Sequence, residues 1–90
     1  MDLREDQVLR SFMTGGRLHT IPSWHAKRLV VLDHIAQSFE PGRTYPEPEV
    51  NAILERFHPD YAALRRYLVE DQFLTREDAV YWRSGGTFEV

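Results

Sequence analysis

Residues 47–71 read EPEVNAILERFHPDYAALRRYLVED, a stretch that holds two helices and one tight break between them. Val50, Ile53, Leu54 and Phe57 recur at i, i+3, i+4 and i+7, the spacing that gathers apolar side chains on one side of a helix. Pro48 is tolerated in a first turn, and Glu47 and Glu49 suit the positive end of the helix dipole. The spacing predicts a helix over 47–57. His58-Pro59 breaks it, and Asp60 is a natural side-chain cap for a second helix over 61–71. On that helix Tyr61, Leu64 and Leu68 point inward, Ala62, Ala63, Arg66 and Glu70 point outward, and Arg65 lies at the edge. A connection this short forces the two helices to cross steeply.

Downstream, Phe73-Leu74-Thr75-Arg76 and Val80-Tyr81-Trp82-Arg83 flank the polar Glu77-Asp78-Ala79, the pattern of a β-hairpin. Tyr81 and Trp82 alternate, so one of them faces away from the core. After Gly85-Gly86, residues 87–90 read as a last short strand. Upstream, residues 23–39 form the longest helix candidate, with Ser23 as N-cap and Leu29, Val31, Leu32, Ile35, Ala36 and Phe39 on a broad buried face. Pro41-Gly42 stops it, and Arg43-Thr44-Tyr45 suits a short strand. Residues 17–22, Arg17 to Pro22, read as an extended connector. Residues 3–13 read as a first helix with Leu3, Val8, Leu9 and Phe12 roughly on one side, and Gly15 or Gly16 at the left-handed position after it. The expected core is Leu29, Leu32, Ile35, Phe39, Val50, Ile53, Leu54, Phe57, Leu64 and Leu68.

The expected fold class is α+β, mostly α: a winged helix-turn-helix with a C-terminal β-hairpin wing. Helix, short strand, helix, tight turn, helix and hairpin is the order in which such a domain is built. Residues 17–90 make the winged-helix-like domain. The N-terminal helix, residues 1–16, joins it in one compact unit and is a natural dimer element. In such folds the second helix of the pair enters the major groove and the hairpin touches adjacent phosphates. That singles out Arg65 and Arg66 on the recognition helix 61–71, and Arg76 near the tip of the wing 73–83 with Arg83 at its base.

Composition narrows the function classes. At 90 residues, with 42% hydrophobic and 28% charged side chains, the chain is one globular domain with a small core. No apolar run exceeds four residues, as in Leu29-Val30-Val31-Leu32, which excludes a transmembrane helix. The charged start, Met1 to Asp6, has no apolar stretch and reads as no secretory signal. The absence of cysteine excludes disulfides, thiolate metal sites and a Cys nucleophile, and the expected location is cytoplasmic.

The net charge is −3, mildly against a dedicated nucleic-acid binder. The distribution is uneven: residues 1–9 carry −2, residues 67–90 carry −3, and residues 10–66 carry +2. Ten of the eleven cations are arginine, the better residue for phosphates and base edges. Lys27 and Arg28, with Arg17 and His19, form a second candidate basic patch. The four histidines, His19, His25, His34 and His58, have no metal-ligand spacing. No carboxylate pair accompanies a nucleophile or a Gly-rich phosphate loop, so neither catalysis nor a cofactor is expected.

From Arg17 to Arg83 the sequence resembles the bacterial family labelled domain of unknown function 2087. The resemblance rests on Arg17-Leu18-His19-Thr20-Ile21-Pro22, Lys27-Arg28-Leu29-Val30-Val31-Leu32, Phe39-Glu40-Pro41-Gly42-Arg43, Glu49-Val50-Asn51, Ile53-Leu54 and Phe57-His58. It continues through Asp60-Tyr61, Leu64-Arg65-Arg66-Tyr67-Leu68-Val69 and Tyr81-Trp82-Arg83. The resemblance implies a winged-helix-like domain in bacterial regulator-like proteins, where it often follows a DNA-binding or acetyltransferase domain. The chain departs from the family's pattern in two places. Ser23-Trp24-His25-Ala26 stands where a more basic run is usual, and Pro46 stands where a capping Thr or Ser is usual.

Two functions from different classes follow. One is a transcriptional-regulator module binding DNA through Arg65, Arg66 and Arg76, with Lys27 and Arg28 as further contacts. The other is a winged-helix module for protein–protein interaction or dimerisation without DNA, supported by the acidic total, the small Ala62 and Ala63, and the aromatic hairpin.

Overall fold

In the computed structural model, which describes residues 3–88 apart from the Leu3 side chain, nine elements follow one another. They are α1 (Leu3–Phe12), β1 (Met13–Thr14), β2 (Arg17–Leu18), α2 (His25–Ala36), β3 (Thr44–Pro46), α3 (Glu47–Glu55), α4 (Tyr61–Glu70), β4 (Leu74–Glu77) and β5 (Val80–Arg83). The described chain is α+β and mostly helical, with two small antiparallel sheets.

The pair α3 and α4 forms for the reasons the sequence gives. The Asp60 carboxylate accepts from the Ala63 N–H at 3.2 Å, which satisfies one of the free donors at the start of α4. Pro46 offers α3 no side-chain cap. The hairpin replaces part of that function, because the Glu47 N–H donates to the Ala79 carbonyl at 2.9 Å. α3 ends at Glu55, earlier than the expected 57. Arg56 and Phe57 bond back three residues, to Ile53 and Leu54. Pro59 disfavours helical geometry at His58, so the chain leaves the helix through this tightened turn.

α2 is shorter than the expected 23–39. Trp24, not Ser23, is the residue before its first turn, and it makes no side-chain cap bond. At the other end Gln37, Ser38 and Phe39 donate to the carbonyls three residues earlier, which tightens the exit and drops Phe39 into the core.

The stretch expected as helix end and connector is a small hairpin. Met13 pairs with Leu18 and Thr14 with Arg17. Gly15 and Gly16 make the turn at φ +58° and +81°, the backbone that a two-residue hairpin needs at both central positions and that glycine adopts without strain. The Leu18 N–H donates to the Phe57 carbonyl at 2.8 Å and hooks this hairpin onto the end of α3.

The second sheet has the order β3-β5-β4, with Tyr45 opposite Tyr81 and Arg76 opposite Tyr81 on the other side. The hairpin turn has two residues, Asp78 and Ala79, rather than three, and Asp78 takes φ +54°. Thr87 and Phe88 are not in a strand, and the rest of the expected strand, 89–90, lies outside the described residues, as does the Leu3 side chain.

Leu32, Ile35, Phe39, Val50, Leu54, Leu64 and Leu68 are fully buried, while Leu29, Ile53 and Phe57 pack against them half-buried. The sheet and β2 add Leu18, Tyr45, Phe73, Leu74 and Tyr81. Val8, Leu9 and Phe12 of α1 pack against this cluster, so the described apolar side of α1 faces inward. Beyond β5, Gly85 passes so close to α4's exit that a Cβ there would lie 2.2 Å from the Gln72 carbonyl oxygen.

Candidate nucleic-acid interface

The inward residues Leu64 and Leu68 fix the rotation of α4, and that leaves Ala62, Arg66 and Glu70 exposed on its opposite side. The β4–β5 hairpin runs alongside. Between them lies an open groove of about 360 Å³, lined by Arg65, Arg66 and Arg76, with Ala62 and Tyr81 in its walls and Glu70 beside Arg66. Two adjacent arginines of α4 and one of the hairpin, ten residues further on, thus share one concavity.

Each has a distinct environment. Arg66 is exposed. Its Nε lies 3.7 Å from Glu70 Oε1 one helical turn away, and its guanidinium lies 5.1 Å from the Tyr67 ring centre. Both members of that ion pair are more than half exposed, so the pair contributes only about 0.3–0.5 kcal/mol. Arg65 is mostly covered. It donates to Asn51 Oδ1 and holds its Nε 3.7 Å from Glu47 Oε1, so it ties α4 to α3. Arg76 is exposed and donates from Nε to the Asp78 carbonyl at 2.6 Å.

Glu47 sits where α3, α4 and the hairpin meet. Its carboxylate accepts from the Tyr81 hydroxyl at 2.6 Å. That hydrogen bond, reinforced by the fields of Arg65 and Arg76 against partial desolvation, holds the Glu47 carboxyl below its ordinary range. Burial first, and then the bond to Glu47, push the Tyr81 hydroxyl up.

Lys27 and Arg28 lie at the start of α2 and do not line this groove. Lys27 is exposed, with its ammonium 6.0 Å from the Phe12 ring centre and 5.9 Å from that of Trp24. Arg28 is turned inward, donating to the Pro22 and Ser23 carbonyls at 3.4 and 3.2 Å with its guanidinium 4.3 Å from the Tyr67 ring centre. Its Nε lies 3.9 Å from Asp71 Oδ2. Arg17 closes the end of α3 by donating to the Glu55 and Arg56 carbonyls, and His19 bonds Thr14. Arg17, His19 and Arg28 of the expected second patch are thus engaged in separate internal contacts, and Lys27 stays exposed.

Arg83, expected as a cation at the hairpin's base, is 8% exposed. It donates to the carbonyls of Phe39, Gly85 and Thr87, and its guanidinium lies 4.3 Å from the Phe88 ring centre. It fastens the C-terminal segment to the core. Of the hairpin aromatics, Tyr81 is buried and Trp82 is half-exposed, so Trp82 faces away from the core as the alternation requires.

Sequence reasoning missed Glu47, Asn51 and Tyr81 as parts of the site. Asn51 stands fourteen residues before Arg65, and only the packing of α4 against α3 brings them together. Among the described residues no cluster of three His, Cys, Asp or Glu could hold a metal ion, and no helix is long and apolar enough to cross a membrane.

No curated protein and no solved structure matches the chain. The model of DUF2087, described as an uncharacterised protein conserved in bacteria, matches residues 17–83. That stretch runs from β2, through the crossed helices, to the last residue of β5, and so contains every residue lining the groove. With about three quarters of its length matched by that model, the chain belongs to the bacterial family DUF2087.

Proposed function

We propose that the chain is a winged helix-turn-helix module that binds duplex DNA, with α4 as the recognition helix and the β4–β5 hairpin as the wing. The element order from α2 to β5, with β3 added to the hairpin sheet, supports the architecture. The observation that carries the function is the groove that collects Arg65, Arg66 and Arg76 between α4 and the hairpin. Ala62 leaves room for α4 to lie close to a groove floor. Arg66, central on the outward side, reads a base edge, for which guanine offers a bidentate acceptor pair. Arg65 and Arg76 hold backbone phosphates. Lys27 keeps its cation in solvent and adds an outlying phosphate contact, whereas the inward-turned Arg28 supports α4 through Tyr67.

Fluorescence anisotropy of a labelled duplex at about 50 and about 200 mM salt tests this. Binding at the lower salt is expected, with a loss of about 1–3 kcal/mol for Arg66→Ala on a preferred sequence. Arg65→Ala and Arg76→Ala are expected to weaken all sequences alike and to reduce the salt slope by about one each. No binding by the wild-type chain at low salt overturns the proposal. The module would then be one for protein–protein interaction, a reading favoured by the carboxylates set beside Arg65 and Arg66 and by Trp24, which is 74% exposed.

A further inference from the structure

We propose that Glu47 and Glu70 act as a built-in brake on the arginine groove. Each carboxylate holds a guanidinium that the DNA takes over on binding, a phosphate engaging Arg65 and a base edge engaging Arg66. The inference rests on the DNA-binding reading and names how that site is regulated.

The two helix arginines of the groove are both paired in the free chain. Arg65 faces Glu47 and Arg66 faces Glu70, each at 3.7 Å from guanidinium Nε to carboxylate Oε1. A distance of 3.7 Å is a charge contact rather than a good hydrogen bond, so each carboxylate is held loosely enough to exchange, while Asn51 keeps the Arg65 guanidinium in place. A carboxylate and a phosphate offer guanidinium the same planar pair of acceptors, so they compete for the same face. Glu47 is also placed by other bonds. Its N–H donates to the Ala79 carbonyl and its carboxylate accepts from Tyr81. It therefore stays at the groove when a phosphate takes the Nε edge of Arg65, whose Nη1 keeps its bond to Asn51, and its charge continues to oppose the ligand. Glu70 has the simpler situation, exposed and one turn from Arg66. The remaining groove cation, Arg76, donates to a backbone carbonyl and remains positioned to make the first contact.

The brake has a consequence that a structural role for these carboxylates lacks: removing the charge while keeping the shape tightens binding. Glu47→Gln preserves an acceptor for Tyr81 and removes the negative charge. A unit charge removed at about 4 Å from a cation in water corresponds to roughly a fivefold change in affinity for Glu47→Gln, and to about twofold for Glu70→Gln, whose pair with Arg66 is exposed.

The test titrates a fluorescein-labelled mixed-sequence duplex with the full chain as wild type, Glu47→Gln, Glu70→Gln and the double variant, with Glu5→Gln on exposed α1 as the control for net charge alone. Tighter binding by Glu47→Gln and Glu70→Gln, exceeding that of Glu5→Gln, is the expected result. Unchanged or weaker binding by both groove variants, while the wild type binds, overturns the brake and leaves the DNA-binding reading intact. The same gain in Glu5→Gln also overturns it, because net charge then explains the effect. Glu70 lies exposed on the outer side of α4, so Glu70→Gln reports even where Glu47→Gln loosens the hairpin. No binding by any variant overturns both proposals together.

Discussion

Replacing Leu54 by alanine tests the packing that sets the rotation of α3 and, through it, the position of α4. Leu54 is fully buried at the centre of the cluster that also contains Ile35, Val50, Leu64 and Leu68. The substitution deletes three carbon groups, and at about 0.8 kcal/mol each the transfer contribution is about 2.4 kcal/mol. The cavity left behind raises the total to about 3–5 kcal/mol. A 90-residue chain has a total stability of about 5–13 kcal/mol, so this is a large share of it. The corresponding fall in Tm is at least about 12 °C, at roughly 4–8 °C per kcal/mol for a domain of this size. Urea unfolding followed by circular dichroism measures the loss, and an unchanged m-value shows that it belongs to the folded state. Ile53→Ala, one position earlier and only half-buried, is expected to cost clearly less. A loss below about 0.5 kcal/mol for Leu54→Ala, outside the range for a buried leucine, would refute the packing argument.

Gly85→Ala forces a Cβ to within 2.2 Å of the Gln72 carbonyl oxygen. A loss of about 1–3 kcal/mol in the same unfolding assay is expected, and wild-type stability would show that the segment after β5 does not pass there. The Glu47–Tyr81 bond predicts two pH limbs. Glu47 has a lowered folded pKa, so its contribution is present above the ordinary carboxylate range and is lost as pH falls below about 4. Tyr81 has a raised folded pKa, so its contribution is present below about pH 10 and is lost as pH rises further. Thermal unfolding across the pH range is expected to show a flatter acid limb for Glu47→Gln and a flatter alkaline limb for Tyr81→Phe. Profiles that superimpose on the wild type would contradict the assignment.

The parts of the fold that were legible in the sequence are those with a repeating pattern or a local stop. α3 and α4 declare themselves by apolar spacing and by Asp60, and the β4–β5 hairpin by its alternation. The β1–β2 hairpin has strands of two residues, too short for any period, and its Gly15-Gly16 turn is the same signal that ends a helix. The outward position of Arg66 followed from helical geometry alone. The partners of Arg65 did not, because Asn51 and Glu47 reach it only through the packing of α3 against α4. Arg83 was readable after all. It stands two residues from Tyr81 on the same strand, so a buried Tyr81 carries Arg83 to the same side. Arg28 looked like part of a basic patch because sequence shows the charge and not the Tyr67 ring packed beside it.

In the proposed function, α4 and the hairpin form the nucleic-acid contact surface. Amide chemical-shift mapping of the isotope-labelled chain during titration with duplex DNA tests it most directly. The largest shifts are expected in residues 61–70 and 74–83, with the core strand position Tyr45 and the exposed Trp24 little affected. Shifts concentrated around Trp24, Lys27 and α1, or no shifts at low salt, would contradict it.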